Sequence, residues 1–135
     1  MYQITRTNHI TDEIQLNDGD KTMQVKVDLT VDQILQQYNR DLQAILSSKD
    51  QIITLSDDRE IEAATARLGA AIVAFFGLIF GQEQTEKILE FYGGNHNDMF
   101  ADFLPYLVNE IMPKIQQAQE DIAARYKTTL QQLRK

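Results

Sequence analysis

The longest apolar block in the chain runs from Leu68 to Phe80, thirteen residues without a charge or a hydrogen-bonding side chain. A helix that crosses a bilayer needs about 20 apolar residues, whereas runs of about 10 to 14 belong more often to helices buried in protein. The block therefore predicts a helix surrounded by other elements. Its register extends backwards: Ala63, Ala66, Ala70, Ala74, Gly77 and Gly81 recur at spacings of three and four and fall in one stripe, while Leu68, Ile72, Phe75, Phe76 and Ile79 fill the other side. Glycine inside a helix costs about 1 kcal/mol relative to alanine, so Gly77 implies that another backbone comes close on the small face. Either the core of the chain's own domain or a subunit interface meets that requirement. In the second case Ala70, Ala74 and Gly77 are the self-association residues.

Upstream, Glu13-Ile-Gln-Leu-Asn17 and Thr22-Met-Gln-Val-Lys-Val-Asp-Leu29 alternate apolar and polar positions around Asp18-Gly19-Asp20. Period-two alternation on either side of a turn predicts a β-hairpin with one apolar face. Tyr2 and Ile4 give a weaker signal for a short third strand. Thr30 with Gln33 forms a capping-box pattern, and Val31, Ile34, Leu35, Tyr38, Leu42, Ile45 and Leu46 then hold helical spacing through Ser47. That helix is expected to lie on the hairpin.

Ser56 is the expected N-cap of the central helix, and Asp57, Asp58, Glu60 and Glu62 follow it. Negative charge in a first turn is stabilised by the helix dipole, which explains these four carboxylates without a catalytic role. After Gly81 a shorter helix carries Ile88, Leu89 and Tyr92 and stops at Gly93-Gly94-Asn95. Asn95 or Asn97 can cap the last helix. Met99, Phe100, Phe103, Leu104, Leu107, Val108, Ile111, Met112 and Ile115 form a dense stripe there, followed by the thinner series Ile122, Tyr126, Leu130 and Leu133. Pro105 and Pro113 each remove a backbone hydrogen bond, which predicts bends near residues 101–113.

At 135 residues the chain matches one domain, organised as 1–29 hairpin, 30–115 helical core and 116–135 amphipathic helical arm. The fold class expected is mainly α with a small N-terminal hairpin, an α+β arrangement in which the hairpin packs on about four helices and the last helix is long and bent. There is no cysteine, so disulfides, thiolate metal sites and cysteine nucleophiles are excluded. The first residues lack the apolar centre of a secretory leader, and the cytoplasm is the expected compartment.

Formal net charge is −7, which argues against a nucleic-acid-binding surface over the whole molecule. Its distribution is uneven. Residues 1–113 carry 8 basic against 18 acidic side chains, or −10, and residues 114–135 carry 5 against 2, or +3. A basic end on an acidic body permits head-to-tail attraction between copies, or simply complements the C-terminal end of a helix dipole.

Catalytic patterns are lacking. His9 and His96 lie in different segments, and His96 with Asp98 and Asp102 would be a metal site only with converging ligands and a second shell, which a sequence does not display. No phosphate loop or nucleophile elbow surrounds Gly93-Gly94-Asn95, Ser47, Ser48 or Ser56. No enzyme activity, cofactor or metal is expected.

Three stretches together resemble a known family: the acidic hairpin running into Thr30-Val-Asp-Gln-Ile-Leu35, the segment Ile88-Leu-Glu-Phe-Tyr-Gly-Gly-Asn95, and Phe103-Leu-Pro-Tyr-Leu107 through Ile111-Met-Pro-Lys-Ile115. They are similar to the small tail assembly chaperones of long-tailed, siphovirus-type phages and prophages of Gram-positive bacteria. The resemblance spans most of the chain. It implies a non-enzymatic protein of the host cytoplasm that coats the long, apolar, helical tape measure protein until tail-tube subunits polymerise around it. Some members of that family also exist in a frameshifted longer form.

A chaperone of that kind needs apolar anchors at helical spacing, and Ile115, Ile122, Tyr126, Leu130 and Leu133 are the candidate partner-binding residues. The competing expectation is a homodimeric helical regulatory or scaffolding module of phage or prophage origin. A third is a ligand-binding helical domain with a pocket beside Phe75, Phe76 and Tyr106.

Overall fold

The structure, a computed structural model, describes residues 1–5 and 9–134, apart from the side chains of residues 31–33 and 35. Strands β1 (His9–Asp18) and β2 (Lys21–Thr30) pair antiparallel in register from His9 opposite Thr30 to Asp18 opposite Lys21. The loop between them is two residues long, and Gly19 supplies the positive φ of 60° that such a turn needs at its first position. Residues 1–5 form no strand, and Tyr2 and Ile4 are exposed, so the expected third strand is absent there.

Ile10, Leu16, Val25, Val27 and Leu29 are buried on the inner face of the hairpin. A two-stranded ribbon is marginal alone and needs such a partner layer. Each outer edge is tied at one point. The Lys26 N–H donates to Oε1 of Gln84 at 2.8 Å, and Nε2 of Gln84 donates to the Lys26 carbonyl at 2.8 Å. One glutamine thus takes the place of a neighbouring strand. On the opposite edge the Glu13 N–H donates to the Asp12 carboxylate at 2.8 Å. Occupied edge groups resist pairing with another chain.

Helix α1 (Val31–Ile53) follows β2 without a loop and runs six residues past Ser47; in that extension the Lys49 ammonium sits 5.4 Å from the centre of the Phe100 ring. Thr30 holds the N-cap position with extended backbone. The capping partner Gln33, the side chains of Val31 and Leu35, and Lys135 lie outside the described residues. Helix α2 (Asp58–Phe80) begins one residue later than expected. Asp57, not Ser56, is its N-cap, its carboxylate accepting the Arg59 N–H at 3.0 Å.

Gly81 alone joins α2 to α3 (Gln82–Phe91), at φ 81° and ψ 161°, a conformation open to glycine and strained for other residues. The Thr85 hydroxyl, the one buried polar side chain of the described core, donates to the Gly81 carbonyl at 2.7 Å. Gly93-Gly94 ends α3, the Gly94 N–H reaching back to Leu89. Asn95 caps α4 (His96–Tyr106) by accepting the Asp98 N–H at 3.1 Å.

From α4 the chain continues through a π-helical segment (Leu107–Ile111) into α5 (Met112–Leu133), giving 38 residues of unbroken helix. The irregularity has a cause in the sequence. Phe103, Leu107, Ile111 and Ile115 all face the core, yet three successive steps of four residues outrun an α-helix of 3.6 per turn by about one residue. One wide turn takes up the excess. Pro105 and Pro113 sit on the exposed side of the same stretch, where the carbonyls they leave without an N–H partner face water.

All buried apolar residues belong to one cluster. Its centre is aromatic: Tyr38 against Phe75 at 5.1 Å, and Phe76 against Phe103 and Phe80 at 5.0 and 5.5 Å between ring centres. The architecture is α+β, a hairpin on four helices of which the last is long and bent.

Candidate functional site

Helix α1 runs antiparallel to the last helix: Lys49 meets Phe100, and Tyr38 meets Leu107. Moving along α5 therefore means moving towards the start of α1 and beyond it. Ile115 is the last buried residue of α5, at 1% exposure. Ala118 and Ile122 are half-buried, and every later described residue is exposed, including Tyr126 at 70%, Leu130 at 49% and Leu133 at 81%. This corrects the expected set of partner-binding residues. Ile115 belongs to the core, and the stripe open to a partner begins at Ile122. Spacings of four, four and three keep Ile122, Tyr126, Leu130 and Leu133 on one helix face.

The second exposed apolar surface is on α2. Its bulky half enters the core, with seven residues buried, Phe75 and Phe76 completely. The opposite half, Ala63, Ala66, Ala70 and Ala74 with the half-buried Gly77, faces solvent. A Cβ built on Gly77 meets nothing within 4 Å, so no backbone of the same chain crowds it, and the core setting for the small stripe is overturned. Gly69 is the glycine that a neighbour approaches. It is buried, and an added Cβ would lie 3.2 Å from Nδ1 of His96. By length and composition α2 could also cross a bilayer, but crossing would require extracting the phenylalanine half from the core.

A polar cluster lies where the hairpin meets the bend. Asp12 alternates with Ile10 and Ile14 and so points inward, where its Oδ2 accepts the Tyr106 hydroxyl at 2.8 Å and lies 3.8 Å from the Lys114 ammonium. The Tyr106 hydroxyl above all, with the Glu13 N–H and Lys114, holds the Asp12 carboxyl below the usual carboxylate range. Burial and the facing carboxylate raise the Tyr106 phenol. Burial likewise raises Tyr38. Sequence patterning missed this cluster, since a lone aspartate on an apolar strand face gives no hint of a partner 94 residues away.

Among the described residues no group of three or more His, Asp or Glu is placed to hold a metal. The His96 ring faces Gly69, Asp98 pairs with Asn95 at 2.9 Å, and Asp102 accepts the Tyr92 hydroxyl at 3.0 Å. Burial, aided by Asp102, pushes the Tyr92 phenol up to about 12. Asp18, Asp98, Asp102, Phe91 and Tyr92 line an open acidic depression of about 580 Å³. Phe75 and Phe76 are fully buried in the core, and Tyr106 is engaged with Asp12, so these three do not come together around a pocket. No protein-family model, no curated protein sequence and no solved structure matches the chain.

Proposed function

We propose that this chain is a non-enzymatic tail assembly chaperone of a siphovirus-type phage or prophage, acting in the host cytoplasm to coat the tape measure protein and keep it soluble. The observation that carries the reading is the arm: a helix that leaves the body after Ile115 and holds Tyr126, Leu130 and Leu133 in solvent. Surfaces of that kind on a small soluble domain mark interaction sites. Their helical spacing suits an amphipathic or apolar helix as partner, and a tape measure protein is such a helix repeated over a great length. Coating it requires many copies, which fits a chain that exposes a second apolar face on α2. The resemblance over residues 30–35, 88–95 and 103–115 supplies the identity of the partner.

Co-expression with an apolar helical fragment of a candidate tape measure protein tests this. The wild-type chain is expected to keep the fragment in the soluble fraction and to co-purify with it, and Ile122→Glu with Tyr126→Glu to lose both effects. A chain that leaves the fragment insoluble, while forming a dimer of fixed size across concentrations, is instead a homodimeric regulatory or scaffolding module.

A further inference from the structure

The arm and the bare face of α2 have the same spacing read in opposite directions. Along the arm, Ile122, Tyr126, Leu130 and Leu133 are separated by four, four and three residues; back along α2, Ala74, Ala70, Ala66 and Ala63 are separated by four, four and three. Laid antiparallel, each bulky side chain of one helix meets an alanine of the other. Large side chains entering a row of small ones is how two helices pack at close range.

Charge fixes the same direction. The arm's outer end carries Arg134 and belongs to a segment of charge +3, and the α2 face begins beside Glu60 and Glu62 on a body of charge −10. In the antiparallel alignment Arg134 falls opposite Glu62. A parallel alignment would set it against residues 74–81, which carry no charge. The arm also cannot serve its own α2, because it continues a 38-residue helix that leads away past the start of α1.

From these observations we infer that the arm of one copy docks antiparallel on the exposed alanine face of α2 of a second copy, Tyr126 opposite Ala70, so that the protein assembles head to tail. The inference deepens the self-association in the reading above by naming both halves of one contact. Because the two surfaces differ, a bound pair still presents a free arm at one end and a free α2 face at the other. Such a heterologous contact propagates as an open chain or closes only as a ring.

The absence of cysteine from the sequence makes the test direct. Ala70→Cys and Tyr126→Cys are prepared as separate single variants, mixed and oxidised, with circular dichroism melts confirming that each folds as the wild type does. A disulfide-linked dimer is expected in the mixture at ten or more times the yield given by either variant alone. One chain carrying both changes is expected to give a ladder of linked multimers on a non-reducing gel. Ala70→Cys paired with Leu133→Cys, out of register, is expected to link poorly.

A dimer from Ala70→Cys alone would mean that two α2 faces pair symmetrically, and would overturn the inference. So would a linked monomer from the double variant, or no linkage at all. Exchange of charge gives an independent check. Arg134→Glu is expected to weaken self-association severalfold, and Glu62→Lys on the other copy to restore it; no restoration overturns the assigned direction. Tape measure binding is scored on the same proteins. Solubilisation that survives without the cross-link rejects the contact and leaves the chaperone reading standing, and the reverse result rejects the chaperone reading alone.

Discussion

The hydroxyl of Tyr38 donates a hydrogen bond of 2.8 Å to the carbonyl of Leu107, buried and 69 residues away in sequence. Leu107 opens the π-helical segment, and its carbonyl also receives the Met112 N–H across the widened turn. A wide turn inside a core gives up regular backbone geometry, and a second donor steadies the group most affected. Tyr38→Phe removes that donor but leaves the backbone bond, and is expected to cost about 1 kcal/mol in urea unfolding. Tyr38→Ala also leaves a cavity beside Phe75 and is expected to cost about 3–5 kcal/mol.

The pair Asp12 and Tyr106 makes stability depend on pH at both ends of the scale. The folded protein lowers the Asp12 carboxyl, so its contribution is present above the unfolded carboxylate range and is lost as pH falls through the folded value. Tyr38, Tyr92 and Tyr106 are raised from 10.0. Their contribution is present below pH 10 and disappears as pH rises towards their folded values. Thermal melts should show Asp12→Asn less stable than wild type at pH 7, the gap closing below about pH 4. Phenolate absorbance from the three raised tyrosines should emerge together with unfolding above pH 10. A gap that persists undiminished at pH 2 would contradict the assigned role of Asp12.

Two glycines on α2 should respond in opposite ways to added bulk. Gly77→Ala fills open space on a helix and is expected to stabilise the monomer by about 0.5–1 kcal/mol. Gly69→Leu drives into the His96 ring and should cost about 1–3 kcal/mol. Equal losses at both positions would mean that the α2 face is covered within the single chain.

Gln84 is expected to matter beyond its half-exposed position, since one side chain serves both backbone groups of Lys26 and also donates to the Phe80 carbonyl at 2.8 Å. Gln84→Ala should cost about 1 kcal/mol and, by uncovering the edge of β2, raise the rate of aggregation on gentle heating. Light scattering during a slow temperature ramp reads the second effect separately from the first.

Truncation after Gln116 removes no fully buried residue among those described. The melting transition of the remainder should stay within about 2–4 °C of the intact chain, the shift that about 1 kcal/mol produces in a domain of this size. Loss of the whole transition would place the arm in the core.

Much of this architecture was legible because it rests on local rules. Alternation around Gly19 marked the hairpin, small polar residues marked helix starts, and Gly93-Gly94 marked an end. What escaped depended on distance. The cost of glycine in a helix points to crowding at Gly77, but the crowded glycine is Gly69, whose neighbour His96 arrives from another helix. Asp57 displaced Ser56 as cap because two adjacent residues both suit the position and only backbone geometry chooses. Spacing alone groups Ile115 with the arm, although α1 still covers it. Asp12 gave no signal because its partner Tyr106 lies beyond any local pattern.

The wide turn at residues 107–111 also governs something far from itself. Each residue of an α-helix is rotated by about 100° from the one before, and by absorbing one extra residue the wide turn keeps every side chain of the arm in phase with the core. Deleting one residue from that turn would restore a regular α-helix and leave Ile122, Tyr126 and Leu130 aimed as they are, whereas deleting one between Ile115 and Ile122 would swing all three about a quarter of the way round the axis. The aim of the arm is held by the core, through a joint the arm never touches.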